Sequence, residues 1–469
     1  VWRYRRRRCA RRPSKDLPPA ESRPCFRDRP GDPFERPNEY VALHLHMSSA
    51  LHGALRLFIP GAKGSFIFDR QQPVLPSRPE RLNLYVHLPF CSTICPFCPY
   101  VKEVHDPVVS AAYQDAILKE LEGYRRLWGE VRVDTVYFGG GTPSLTPEIV
   151  ETTLSWLAGH FHLGHEVGVE IHPSTAGSAV LRSLKNSGVS MASLGVQTFN
   201  DRLLGVLGRD YDSNLARQAC ERVLDVGFAT TDVDLMFAIP TQNREEADAD
   251  IGIACSLGVE QISTYPLISF SYTPLGSHLH RKGVSMPPWW VERQMLGAVV
   301  TRARNAGYER TSIWSFNKPG TSRYTTVTRD AFVGIGAGAT SRMGDYFWLN
   351  TFSVGEYISS MEKGSPLSLA TRMSAGDKTA YRLFWQCYDL AIDIDAFRSV
   401  PGRDLPQLVR ALVPVLNLLG IARRQDSAIR VTDRGAYLFH LVEKKYTQAY
   451  LRTLWEACLK EAWPGRVVL

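Results

Sequence analysis

From residue 82 onward the chain alternates short apolar or β-branched runs with segments of helix length, and no other feature limits its possible architectures as much. The runs fall at residues 82–88, 135–138, 167–171, 193–196, 231–237 and 261–267. Between them lie the helix-length segments 111–127, 147–160, 176–186, 213–226 and 244–257. Strands alternating with helices of this length build right-handed βαβ units around a parallel sheet. Six repeats predict an α/β fold in which the strands form an open, partial (β/α)6 barrel. In such barrels the chemistry sits in the loops at the C-terminal ends of the strands.

The first of those loops holds three cysteines within eight residues. The stretch Tyr85-Val-His-Leu-Pro-Phe-Cys91-Ser-Thr-Ile-Cys95-Pro-Phe-Cys98 places them directly after the first strand. Four thiolates complete a cubane of four irons and four sulfurs, whereas three leave one iron open to a further ligand. That separates this C-x3-C-x2-C spacing from the closed four-ligand sites of structural zinc. The spacing alone also admits three buried cysteines, or a zinc site with His87 as fourth ligand.

The same rule collects further residues at the other strand ends. Strand two ends in Phe138-Gly139-Gly140-Gly141-Thr142-Pro143-Ser144, where successive glycines let the backbone approach a ligand and aim N–H groups at an anion. Strand three ends in Glu170-Ile171-His172-Pro173, strand four in Gly195-Val196-Gln197, and strand five carries Asp232 and Asp234, with Arg209 after strand four. Each alone reads as a cap, an ion pair or a solvated end. Together they set acids, an amide and a guanidinium around one face, suited to a ligand with amino, carboxylate and ribose hydroxyl groups.

Charge and cysteine usage narrow the function classes. The net charge is +8. Residues 1–36 hold twelve Lys and Arg against five Asp and Glu, a surplus of seven, so the rest is near neutral. This Pro- and Arg-rich start cannot form a core and is expected to be a basic, disordered tail, with an N-terminal extension over residues 37–80. No nucleic-acid or membrane partner is expected, because the charge is confined to that tail and no apolar run is long enough to span a bilayer. The nine cysteines are odd in number, and the six outside the triad are scattered singly, which suits a reducing, cytoplasmic setting. Residues 308–314 read as another strand. Residues 332–341 (Phe-Val-Gly-Ile-Gly-Ala-Gly-Ala-Thr-Ser) lack the ending of a phosphate loop and read as a tight backbone passage. The barrel with its extension is expected over residues 81–365. A small, mostly helical domain is expected over 366–469, with a strand pair near 421–431 and a long helix over 436–462.

Taken in order, these motifs resemble the radical S-adenosylmethionine (SAM) superfamily, in the branch of oxygen-independent coproporphyrinogen III oxidase (HemN). The resemblance rests on Tyr85-Val-His-Leu-Pro-Phe-Cys91 with the triad, Gly139-Gly-Gly-Thr-Pro, Glu170 before Pro173, Leu194-Gly-Val-Gln197-Thr-Phe, Asp234-Leu-Met-Phe-Ala-Ile-Pro240 and Gly336-Ala-Gly-Ala-Thr-Ser341. It implies that Cys91, Cys95 and Cys98 hold a 4Fe-4S cluster whose open iron is chelated by SAM. One electron then cleaves the sulfonium to methionine and a 5′-deoxyadenosyl radical. By the same resemblance Tyr85, Phe97, Gly140, Gly141, Thr142, Glu170, Gln197, Arg209 and Asp234 line SAM, and a closing loop adds Thr340. The branch implies two SAM molecules and an external electron donor, a reductase with flavodoxin or a ferredoxin.

Two departures steer the expected reaction. Coproporphyrinogen oxidases have a further cysteine where Tyr100 stands here, and Arg36-Pro-Asn-Glu-Tyr40 only faintly echoes their N-terminal segment. Those departures count against porphyrinogen decarboxylation, and in the helix read over 436–462 and the Trp463-Pro464 end the chain looks more similar to HemN-like methyltransferases and cyclopropanases, in which a second SAM supplies carbon to an sp2 position of an unsaturated or heteroaromatic small molecule. The alternatives are oxidative decarboxylation of a tetrapyrrole, and a haem chaperone (HemW) with His44, His46 or His172 as candidate iron ligands.

Overall fold

In the six parallel strands most apolar side chains face outward to the helices and most polar ones inward, with Met191 an apolar exception that packs inside against Tyr137. Leu82, Leu84 and Val86 are buried on the outer face of β1 (Arg81–Leu88), while Asn83, Tyr85 and His87 face the other way. The alternation repeats in β2 (Arg132–Gly140), β3 (His162–Ile171), β4 (Met191–Gln197), β5 (Thr230–Phe237) and β6 (Gln261–Pro266). A barrel closed for stability alone fills its interior with branched apolar residues. Here the interior carries Tyr137, Glu170, Ser193, Asp232, Asp234, Gln261 and Ser263, which bond to one another across the strands. The hydrophobic gain comes from the outer face, and the lumen is left for a ligand.

This computed structural model describes residues 66–76, 78–281, 284–324, 331–393, 405–425 and 428–469, all within one unit, Ala50–Leu469. The expected basic tail 1–36, the extension up to residue 65, and His44 and His46 lie outside the described residues. β1 to β6 pair in parallel, in the spatial order β6-β5-β4-β3-β2-β1. β7 (Phe332–Ile335) adds in parallel on the free side of β1, with Ile335 opposite Val86. Antiparallel strands β8 (Thr340–Met343), β9 (Tyr346–Asn350) and β10 (Leu367–Arg372) continue the sheet outward. At the far edges it ends in Ile67–Asp69 with Arg466–Val468 on one side, and Ser315–Asn317 with Glu309–Arg310 on the other. The two edges do not pair, so the architecture is the partial (β/α)6 barrel expected. No described helix is long and apolar enough to cross a membrane.

The helices start and stop on local signals. α1 (Pro107–Trp128) opens with the Asp106 carboxylate accepting from the N–H groups of Val108 and Val109. The helix Arg244–Leu257 opens with a capping box between Asn243 and Glu246, which satisfies two donors that have no partner within the helix. Three differences from the sequence reading have physical causes. The strand expected at 308–314 is broken, because the Ser312 hydroxyl accepts from the N–H groups of Trp314 and Ser315 and turns the chain. A short helix, Asp201–Leu207, with the Asn200 carboxamide as cap, stands where no helix was predicted. Within the segment read as a helical domain, β10 and Arg466–Val468 belong to the large sheet. The rest of that segment is the helix Ala375–Tyr388, a three-stranded sheet of Ala391–Asp393, Ala428–Val431 and Ala422–Gln425, the helix Leu405–Leu418 and the helix Asp433–Tyr446. That last helix runs through a π turn, Thr447–Leu451, into Arg452–Lys460.

Candidate cofactor site

The C-terminal ends of β1 to β5 form one rim, and the cysteine loop hangs over it. Pro89 O and Cys91 O accept from the N–H groups of Glu103 and His105, which ties the loop's two limbs together. Leu88 O and Phe90 O accept from the N–H groups of Gly141 and Thr142, which pins the glycine run to the loop's base. The run is glycine for lack of room. A Cβ on Gly140 would stand 2.5 Å from the His87 ring at φ +113, and one on Gly141 would stand 2.7 Å from Phe90 O.

Two thiols of the triad meet a hydrogen-bond donor: Thr142 Oγ1 donates to Cys91 Sγ at 3.7 Å, and Arg209 Nη1 donates to Cys95 Sγ at 3.2 Å. Burial pushes the Cys91 thiol up to about 11 against the Thr142 hydrogen bond, and raises Cys98 as well. Donors aimed at sulfur are what bound thiolates need, so the residues fit a thiolate-ligated cluster. Among the described residues no group of three His, Cys, Asp or Glu is arranged to hold a single metal ion. The zinc reading with His87 therefore falls: Nδ1 of that ring is 3.1 Å from Tyr85 OH, and Nε2 is 2.9 Å from Val101 O.

Beneath the loop lie the acids. Glu170 accepts from the Gly140 N–H at 3.1 Å and from Tyr137 OH at 3.0 Å, and burial holds its carboxyl above the usual range. Asp234 accepts from Ser193 Oγ at 2.7 Å. Asp232 accepts from Gln261 Nε2 and Ser263 Oγ through one oxygen, while the other is buried with no partner. Burial raises both aspartates, Asp232 to about 7, and Asp232 beside it raises Asp234 further. Arg209 is fixed on three sides. Besides Cys95 it donates from Nε to Tyr211 OH at 2.9 Å and from Nη2 to Gly195 O at 2.7 Å. Gln197 ends β4 in the left-handed region, φ 68, an uncommon conformation for a residue with a side chain. A Cβ placed on Gly195 would stand 3.0 Å from Gln197 Nε2 and 3.8 Å from Arg209 Nη2, so both side chains converge there.

Eleven of the thirteen residues anticipated from the motifs thus stand at this rim or in the triad. Phe97, within the loop, packs instead against the apolar cluster of Leu203, Leu207, Ile239 and Leu267. Thr340 opens β8, beyond β7, where the Thr340–Leu349 pairing fixes it. Four contributors escaped the sequence reading: Tyr137, Ser193, Tyr211 and Lys102. Strand alternation could have found Tyr137 and Ser193, which share the inward face of Gly139 and Gly195. Nothing local marks Tyr211 or Lys102.

Comparisons with known proteins bear on the family and the fold. Residues 85–252 match the radical SAM superfamily. The haem chaperone HemW of Bacillus subtilis (strain 168) is 28% identical over 365 residues, covering 76% of this chain and 96% of that protein. The oxygen-independent coproporphyrinogen III oxidase of Paracoccus denitrificans (strain Pd 1222) is 25% identical over 407 residues, covering 78% of this chain and 86% of that protein. Among solved structures, coproporphyrinogen III oxidase (HemN) from Escherichia coli, described as a radical SAM enzyme, is similar with a TM-score of 0.68 at 21% identity. It covers 82% of this chain and 95% of its own, a likeness of fold.

Proposed function

We propose that this chain, whose residues 85–252 match the radical SAM superfamily, is a HemN-like member that cleaves SAM reductively to start radical chemistry on a small molecule. The observation that carries the reading is the triad of thiols, two of them with a donor at sulfur, set over a rim of glycines and carboxylates. Cys91, Cys95 and Cys98 would hold a 4Fe-4S cluster, which supplies the electron that splits the sulfonium. The protein's part is to bind, orient and keep water away. Glu170 and Asp234 offer acceptors to ribose hydroxyl and amino groups, the free N–H groups of Arg209 offer donors to a carboxylate, and Tyr85 and Gln197 bound the space between, while the N–H groups of Gly140, Gly141 and Thr142 are spent on Glu170, Leu88 O and Phe90 O.

For the group that receives the radical, two readings rest on different observations. Methyl or methylene transfer from a second SAM to an sp2 carbon is favoured by Tyr100, which takes the place of a further thiol. Its ring centroid lies 5.8 Å from that of Trp455, giving the mouth an aromatic wall. Tetrapyrrole chemistry, either oxidative decarboxylation or haem handling, is favoured by the relatives, a haem chaperone and a coproporphyrinogen oxidase.

One experiment separates them. The protein is reconstituted anaerobically with iron and sulfide, then incubated with methyl-deuterated SAM and dithionite, with the nucleosides read by mass spectrometry. Deuterium in 5′-deoxyadenosine supports methyl or methylene transfer. Unlabelled 5′-deoxyadenosine that rises with added coproporphyrinogen III supports oxidation. No SAM cleavage, together with tight haem binding, would sink the enzyme reading and leave the chaperone.

A further inference from the structure

Two cations stand against the cysteine loop with no ion-pair partner among the described residues, while the Asp210 carboxylate meets the loop at Thr93. Lys102 Nζ donates to Cys98 O at 2.7 Å and to Tyr100 O at 3.0 Å, so its ammonium is held by neutral carbonyls beside the third cysteine. Arg209 donates directly to Cys95 Sγ, and its guanidinium is fixed by Gly195 O, by Tyr211 OH, and by the Tyr211 ring 4.9 Å beneath it. Among the described residues, neither side chain is in ion-pair contact with an aspartate or glutamate. Their surroundings are half-buried, where a charge acts at longer reach than in water.

We propose that Lys102 and Arg209 form a fixed pair of cations that raises the reduction potential of the cluster held by Cys91, Cys95 and Cys98. The proposal rests on the cluster reading above. Three thiolates gather negative charge in one loop, and reduction adds one more. The potential of such a site is set by net charge, hydrogen bonds to sulfur and exposure. A cation pinned nearby stabilises the more negative, reduced form most, and so does an N–H donor to sulfur. Lys102 supplies charge alone, and Arg209 supplies charge with a donor. The electron comes from an external low-potential reductant, with no proton taken up and no bond to the protein changed. Both side chains are positioning residues in this role. Arg209 in addition keeps N–H groups for the SAM carboxylate, whereas Lys102 is spent on the loop carbonyls and has no such second use.

The test is the midpoint potential of the reconstituted protein, followed by EPR in a reductive titration, for the wild type, Lys102→Met, Lys102→Arg and Arg209→Gln. The expectation is a drop for Lys102→Met of about tenfold in the one-electron equilibrium, which is about 59 mV. Lys102→Arg should stay near the wild type, and Arg209→Gln should fall in the same direction. Potentials equal to the wild type in Lys102→Met and Arg209→Gln, with full iron and sulfide content, overturn the proposal. If neither variant assembles a cluster while the cluster-free proteins melt like the wild type, the two cations serve loop assembly instead and the proposal is likewise overturned. A wild-type protein that takes up no iron and sulfide fails the cluster reading itself.

Discussion

At Gly140 one methyl group decides whether the rim can form. The residue sits at φ +113, and its missing Cβ leaves the space that the His87 ring occupies, a ring that Tyr85 and Val101 O hold in place. Gly140→Ala would meet about 1–3 kcal/mol of backbone strain and a clash that only the pinned imidazole could relieve. The expected outcome is a thermal midpoint several degrees below the wild type and loss of iron uptake on reconstitution. Gly123, in the middle of α1, is the contrast, since a Cβ there meets nothing within 4 Å. Gly123→Ala should raise stability by roughly 0.5–1 kcal/mol through the lower entropy of the unfolded chain. If calorimetry finds the two substitutions equal, the close-approach account of the glycine run is wrong.

Between elements, α1 holds the loop that follows β7. Tyr113 and Glu120 lie two helical turns apart on one face of α1, and both reach that loop. Tyr113 OH accepts from the Ala337 N–H at 2.7 Å and donates to His87 O at 2.8 Å. Glu120 accepts from the Gly336 N–H, Tyr357 OH and Asn350 Nδ2 at 2.7 to 2.9 Å. Burial pushes the Glu120 carboxyl up to about 7 in spite of those three donors. A carboxyl raised on folding stabilises the protein fully below its unfolded value near 4.3, and that contribution is lost as the pH climbs through about 7. Glu120 should therefore remove on the order of 3 kcal/mol of stability between about pH 4 and pH 8. Glu120→Gln cannot titrate, so the difference in unfolding free energy between wild type and variant should change across that range, cancelling the other buried acids common to both. A difference that stays flat from pH 5 to pH 8 would show that the three donors keep Glu120 ionised throughout.

Across the whole molecule, a buried cluster of charges fastens the C-terminal helix to the barrel unit. Trp314 Nε1 donates to His440 Nδ1 at 3.1 Å, which leaves Nε2 to donate to Glu292 Oε1 at 2.9 Å, and Lys444 Nζ reaches both Glu292 oxygens at 2.6 and 2.7 Å. Burial works against ionisation of Glu292, yet His440 and Lys444 outweigh it and hold the carboxyl at about 2. Removing one partner of such a pair strands a buried charge at a cost of about 3–5 kcal/mol. Lys444→Met should thus lower the unfolding free energy by roughly that amount, and adding Glu292→Gln should recover much of it. If the double variant is as unstable as the single one, the stranded carboxylate is not the cause.

The alternation of six strands with helices was legible because most strand positions follow one rule, apolar outward and polar inward, and because helix caps such as Asp106 and Asn243 act within a few residues. The thiol triad and the glycine run were legible because a cluster needs closely spaced thiolates and a close backbone approach needs residues without a Cβ. What joins residues far apart in the chain was not. Arg209 meets Cys95 across 114 positions, Glu120 meets Gly336 across 216, and Glu292 meets Lys444 across 152. Periodicity and spacing report what lies within a turn or a strand. The sequence by itself therefore determined the barrel, its chemical end and the thiols gathered in one loop. Only the tertiary structure decided which donors face Cys91 and Cys95 and which carboxyls burial pushes up, because those depend on burial and contact between elements.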